Sequence, residues 1–365
     1  MTSSSAPSQR LDLLHILRGI AAMLVLFGHV SVATKYAFPY VLNAFGHYQN
    51  LGVYVFFVIS GFVVPWSLQV QRYTIRQFPR YMLRRLVRLD PPYLAMVAVG
   101  LGVAAVHSRH AGTPFPFTAS TIALHLGYLA GLADRPWIVS VFWTLGIEFQ
   151  FYILMGLVFP LFALVPGWVA SETRVGPATL GLSSRIPTDR GLLLATAAFV
   201  LIEITLVFVF SGAGWTYYSG YFIVGILAFA VRASGLHWAA LVAYGFAGAG
   251  VGGFTLPWTL VVVVGLLVVA LPDRLPWVWD TWPGKCLSGL GQISYSLYLT
   301  HPVVVGLLTV RAARVGWMST AVKASAVYAA EVVLCLGVAT VFYYVCERPA
   351  VRLSHRVKFR PAPAS

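Results

Sequence analysis

Apolar runs long enough to cross a bilayer recur along nearly the whole chain, and short polar or basic stretches separate them. This pattern predicts ten membrane-spanning helices, at about 12–34, 49–70, 92–107, 138–165, 190–210, 216–231, 238–252, 255–271, 287–310 and 321–346. The seventh and eighth are short and the least marked, so eight to eleven spans fit the pattern. Residues 1–11 are polar and read as disordered. The connection 108–137 has an apolar middle, Ile122 to Leu132, that reads as partly embedded. Residues 166–190 read as a polar loop. The stretch 272–285, with its prolines and tryptophans, reads as interfacial.

The most basic stretch lies between the second and third spans. Arg72, Arg76, Arg80, Arg84 and Arg88 recur every fourth residue, along one slowly turning helical face, with Arg85 beside them. Pro79 reads as a kink or a helix start. Pro91 and Pro92 suit the first turn of the third span.

Composition agrees with this pattern. The 365 residues are 59% hydrophobic and 10% charged, where a soluble domain carries about 25% charged residues. The fold class is therefore all-α, a polytopic membrane protein without a soluble extracytoplasmic domain. The net charge of +14 would suggest nucleic acid in a soluble chain. Here the positive-inside rule accounts for it. Ten spans with an inner N-terminus put roughly three times as many Lys and Arg on inner segments as on outer ones, so both termini are expected in the cytoplasm. Cys286, Cys335 and Cys346 lack metal-ligand spacing, and no metal site is expected.

Few ionisable residues fall inside the spans: Arg18, His29, Glu148, Glu203, His301 and Glu331. Each is a functional candidate, because an ion in lipid needs a partner or a purpose. Glu203 and Glu331 stand in plain apolar surroundings and read as structural. Ten apolar or small residues separate Arg18 from His29. Eleven helical residues turn about 1100°, so both side chains share a face, about 16 Å apart along the axis. The run could be the core of a leader peptide, and Ser31-Val32-Ala33 resembles a cleavage site, but an arginine and a histidine would spoil such a core. A neutral imidazole at His29 suits a general base. Part of the arginine ladder suits phosphate, which guanidinium binds bidentately. The bland account of the ladder is topology and anionic lipid. The glycines from Gly245 to Gly253 read as helix packing.

Six short blocks then resemble a known family. They are Arg18-(ten residues)-His29, Phe-Phe-x-Ile-Ser-Gly-Phe at 56–62, and the arginine stretch ending in Pro91-Pro92-Tyr93. The others are Trp-Thr-Leu-x-x-Glu at 143–148, Ser-Tyr-x-x-Tyr-Leu-x-His at 294–301 and Glu-x-Pro at 347–349. In this order they resemble the acyltransferase-3 family of integral membrane O-acyltransferases over nearly the whole chain. Two positions depart from it: Phe149 stands where the family often has a second Glu, and Thr300 where it often has Trp.

The resemblance implies a transmembrane acyltransferase domain over 12–348 and a basic cytoplasmic tail over 349–365, in the cell's inner membrane. It implies transfer of an acyl group, usually acetyl, from cytosolic acyl-CoA to a hydroxyl of a glycan or glycoconjugate. Membrane lipids are the other expected partners. Catalytic roles are expected for His29, Arg18 and Glu148. Ser60, Trp143, Tyr295 and His301 are expected around the substrate, and Arg84, Arg85, Arg88 and Tyr93 around the CoA. An acyl-enzyme on Ser60 or a cysteine is a variant of this scheme. The alternative is a secondary transporter or exporter of a lipid-linked sugar or small anion, although no repeated halves are visible.

Overall fold

The computed structural model describes residues 12–33, 50–162, 215–234, 236–252, 255–271, 278 and 280–357. The described residues form helices α1 (Asp12–Ala33), α2 (Leu51–Val70), α3 (Phe78–Ala111), α4 (Ala119–Leu126) and α5 (Phe142–Phe162). Then come α6 (Trp215–Ser234), α7 (Ala239–Gly252), α8 (Leu256–Ala270), α9 (Trp282–Arg314), α10 (Ala321–Phe342) and α11 (Arg348–Ser354). Six helical segments are long and apolar enough to span a membrane, and α6, α7 and α8 carry shorter apolar stretches. The protein is an all-α polytopic membrane protein. The expected span at 190–210 with Glu203, the polar loop 166–190, the first outer connection and residues 358–365 of the tail lie outside the described residues.

Helix starts follow a local code. The Thr255, Thr281 and Thr320 hydroxyls accept the backbone N–H three residues on, and each opens a long helix. Pro257 and Pro283 sit just inside two of these starts, where the missing N–H costs nothing. Gly112, in the left-handed region at φ +65°, ends α3.

The third span differs from its expected form. The basic stretch and the span are one helix, which runs from Phe78 through Pro91 and Pro92 to Ala111. At 34 residues it is about 51 Å long, well beyond the ~30 Å hydrocarbon core, so it has room for an arginine-bearing half outside the lipid. The ninth span also runs longer, from Trp282 to Arg314. The last span does not stop near 346. It widens into a π-helical turn at Tyr343–Glu347 and continues into α11.

Packing centres on α1 against α9 and α2 against α6. Both crossings bring backbones together at glycines. A methyl built on Gly19 would run into the Leu287 carbonyl, and one on Gly61 into the Phe222 carbonyl. Gly306, by contrast, has nothing within 4 Å of the Cβ position. Gly61→Ala should cost about 1–3 kcal/mol, read as a lower thermal midpoint in detergent, whereas Gly306→Ala should leave the midpoint unchanged or slightly higher.

Candidate active site

Five helices turn one face each toward a cavity of about 110 Å³. From α5 come Thr144, Glu148 and Tyr152, four residues apart and therefore stacked on one side. From α2 comes the stripe Phe56, Ser60 and Val63. Helix α9 supplies Tyr295 and Tyr298, α3 supplies Arg85 and Arg88, and α1 supplies Arg18.

Glu148 is the hub of the polar wall. Its Oε1 accepts a hydrogen bond of 2.8 Å from the Ser60 hydroxyl and a second from the Tyr152 hydroxyl. The Arg85 guanidinium lies over the Tyr152 ring, 4.4 Å from its centroid, and over Tyr81 at 5.3 Å. Arg18 lies in the field of Glu347, Glu148 and Arg88. Glu347 is buried and accepts both the backbone N–H (3.0 Å) and the hydroxyl (2.6 Å) of Ser296. Among the described residues, three guanidinium groups and one carboxylate line the cavity, which gives this lining a net positive charge suited to phosphate.

Tyr298 closes the other end. Its hydroxyl pairs with Thr144 Oγ1 at 2.6 Å and donates to the Val141 carbonyl at 3.0 Å. Its ring lies 5.8 Å from that of His301, and the rings of His301 and His29 meet edge-on at 4.8 Å. His29 Nδ1 bonds the Val25 carbonyl and His301 Nδ1 the Leu297 carbonyl, both at 2.9 Å. A carbonyl can only accept, so each Nδ1 carries its proton and each neutral ring keeps a lone pair on Nε2. His301 is buried, and its Nε2 has no hydrogen-bond partner among the described residues. Two imidazole bases thus sit side by side just beyond the cavity wall.

Of the residues expected at the site, Arg18, Ser60, Arg85, Arg88, Glu148 and Tyr295 line this cavity. His29 and His301 do not line it: His301 adjoins the lining Tyr298, and His29 adjoins His301. Three others face elsewhere. Arg84 donates to Gln71 Oε1 at 2.9 Å and bonds the His355 ring at 3.3 Å. Burial, then the charges of Arg84 and Arg88, hold that imidazole below its usual range. Tyr93 is a buried residue stacked on Tyr128, and its hydroxyl donates to the His125 carbonyl. Trp143 packs on Tyr218, 4.9 Å between centroids.

Two structural roles escaped sequence reasoning. Glu347 was visible only as part of a motif, and nothing in the sequence pairs it with Ser296. His125 holds the connection between α3 and α5: its Nδ1 bonds the Thr121 carbonyl and its Nε2 accepts the Ile138 N–H. Burial keeps that imidazole below its usual range, in the neutral form this pairing needs. Glu331 pairs inside the bundle through one oxygen, its Oε1 accepting the Thr309 hydroxyl at 2.7 Å, while its buried Oε2 has no partner among the described residues. No group of three or more His, Cys, Asp or Glu side chains that could hold a metal occurs among the described residues.

No curated protein and no solved structure matches the chain. A family model does, and it is described as an acyltransferase domain. Its match runs from residue 11 to residue 345, so both histidines, the three cavity arginines and Glu148 all fall within it. The chain belongs to the acyltransferase-3 family of membrane proteins.

Proposed function

We propose that this membrane acyltransferase takes an acyl group, acetyl foremost, from acyl-CoA on the cytoplasmic side and places it on a hydroxyl of a glycan or glycoconjugate. The observation that carries this reading is one juxtaposition: a base pair of histidines abuts the inner end of a cavity lined by Arg18, Arg85 and Arg88. In this scheme the arginines hold the phosphates of the donor, and the thioester reaches toward Tyr298. The cytoplasmic placement of both termini and of the cavity mouth rests on the distribution of Lys and Arg.

His29 Nε2 takes the proton of the acceptor hydroxyl as its oxygen attacks the thioester carbonyl. The C–O bond forms and the C–S bond breaks. The His29 imidazolium then returns the proton to the departing thiolate, so CoA leaves as the thiol. His301 Nε2, the neighbouring lone pair, accepts a hydrogen bond from the imidazolium or from the hydroxyl. Glu148 keeps Ser60, Tyr152 and the cavity cations in place between turnovers. Arg18 and His29 serve different parts of one long donor, which resolves how two groups about 16 Å apart on one helix face take part in one reaction.

Purified protein in lipid nanodiscs, given acetyl-CoA and a glycan acceptor, should release free thiol and form an acylated product. A protein that moves the sugar across the bilayer without consuming thioester would overturn this reading in favour of a transporter. Arg18→Lys keeps the charge and loses the fork, so donor affinity should fall about tenfold in a titration with non-hydrolysable acyl-CoA. Wild-type affinity in that variant would remove Arg18 from phosphate binding.

A further inference from the structure

A second cavity, of about 910 Å³, opens between α3 and α9 at the end of the molecule away from the arginine cluster. Its walls are apolar side chains such as Val103, Val106, Val303 and Leu307. Several of them are half-exposed: Val106 and Leu307 each stand at 55%. Its floor includes Pro302, the residue after His301, and its rim carries His107, His110, Arg311 and Arg314. No carboxylate is among the described residues that line it. Cations at helix C-termini need no ligand to account for them, since they complement the helix dipole. The crevice between them does. Gly102 and Gly306 both line it, and neither has anything within 4 Å of its Cβ position. Its walls therefore leave room that no neighbouring side chain takes up.

The dimensions identify what fits. From Pro302 to Arg314 α9 rises about 18 Å, close to the ~15 Å depth of one leaflet's hydrocarbon. An apolar slot one leaflet deep, capped by two guanidinium groups, matches a bilayer lipid set lengthwise, head at the rim and chain against the walls. A purely apolar slot would take any lipid. The cationic rim selects a phosphate head without a compensating positive group.

We propose that this crevice is a binding site for an anionic phospholipid of the leaflet at that end, with its phosphate between Arg311 and Arg314 and its chain reaching Pro302. The chain end then stands beside the His301 turn and keeps water from the histidine pair on that side. The inference is independent of the acyl-transfer reading.

Native mass spectrometry of the full chain, released from nanodiscs of phosphatidylcholine mixed with phosphatidylglycerol, tests it. The expected result is retained phosphatidylglycerol in preference to phosphatidylcholine. Arg311→Gln with Arg314→Gln should cut that preference by about fivefold for each cation, roughly twenty-five-fold for the pair. Gly306→Leu leaves the rim intact and fills the slot, so it should lose the retained lipid while the thermal midpoint of the lipid-free protein stays at the wild-type value. Equal retention of both lipids, or an unchanged preference in the double variant, would overturn the proposal. So would equal thermal stabilisation of detergent-solubilised protein by inorganic phosphate, which would make this an ion site. A Gly306→Leu protein that still carries its lipid would also overturn it.

Discussion

His29→Ala is expected to lower kcat for acyl transfer by about 10³-fold while acyl-CoA affinity stays at the wild-type value. Two features of the site separate these effects. His29 does not line the arginine cavity, so under the proposed scheme its removal leaves the arginines free to hold the donor's phosphates. Its Nδ1 proton is committed to the Val25 carbonyl, which leaves Nε2 as the nitrogen with a lone pair for the proposed base role. Truncation removes that lone pair and creates a gap beside His301. His301→Ala should show a smaller loss, and the double variant should be scarcely worse than His29→Ala, because the two imidazoles act as a unit. The measurement is single-turnover transfer alongside equilibrium donor binding. If His29→Ala keeps more than about a tenth of wild-type kcat, His29 is not the base, and the unpartnered His301 Nε2 becomes the leading candidate. If transfer and donor binding fall together, the histidine is supporting the cavity and not the chemistry.

This pairing marks the boundary of what the sequence reveals. Periodicity states which residues share a helix face, and it put Arg18 and His29 in phase along α1. It also accounts for Thr144, Glu148 and Tyr152 standing together on α5. It does not state which helix a face meets. His29 and His301 are far apart in the chain, and the α1–α9 crossing that joins them depends on Gly19 and Gly291, which carry no chemical signal of their own. The same limit explains the residues that turned away. Arg84 and Arg85 are neighbours in sequence but about 100° apart around α3, so one faces the cavity and the other faces His355. Tyr93 stands about 140° around the helix from Arg88 and points into an aromatic core.

The misplaced start of α3 has a similar physical origin. Two consecutive prolines remove the donors for two helical carbonyls, which ordinarily marks a boundary. Within a bundle, neighbouring helices can supply partners near such a break. Here the carbonyls that lose their helical donors are those of Val87 and Arg88, and the Tyr295 hydroxyl donates to the next one, the Leu89 carbonyl, at 3.1 Å. The continuous helix that results is what carries Arg85 and Arg88 to the cavity. The prolines thus lie inside the element that presents the cations, and the local rule for a helix boundary does not hold at this pair.

Glu148→Gln is expected to destabilise the ligand-free protein by about 3 kcal/mol and to make it depend on its donor for stability. Glu148 is the one carboxylate among the described residues lining a cavity that also holds Arg18, Arg85 and Arg88. Glutamine keeps the shape and can still accept from Ser60 or Tyr152, so packing is little changed. The negative charge that offsets the arginines is lost. Their mutual repulsion then acts against folding, and the phosphates of acyl-CoA become its replacement. Saturating donor, at about a hundred times Kd, stabilises any binding-competent protein by about 2.7 kcal/mol. In Glu148→Gln the rise in thermal midpoint should exceed the wild-type rise at the same free donor concentration, because relief of repulsion tightens donor binding. S-Acetyl-pantetheine carries the thioester without the nucleotide phosphates, and it should stabilise neither protein appreciably. A smaller donor-induced rise in the variant than in wild type would mean that Glu148 itself contacts the donor. Equal stabilisation by acetyl-pantetheine would detach the arginine cavity from phosphate recognition and leave the three guanidinium groups as a structural cluster balanced by Glu148 and Glu347.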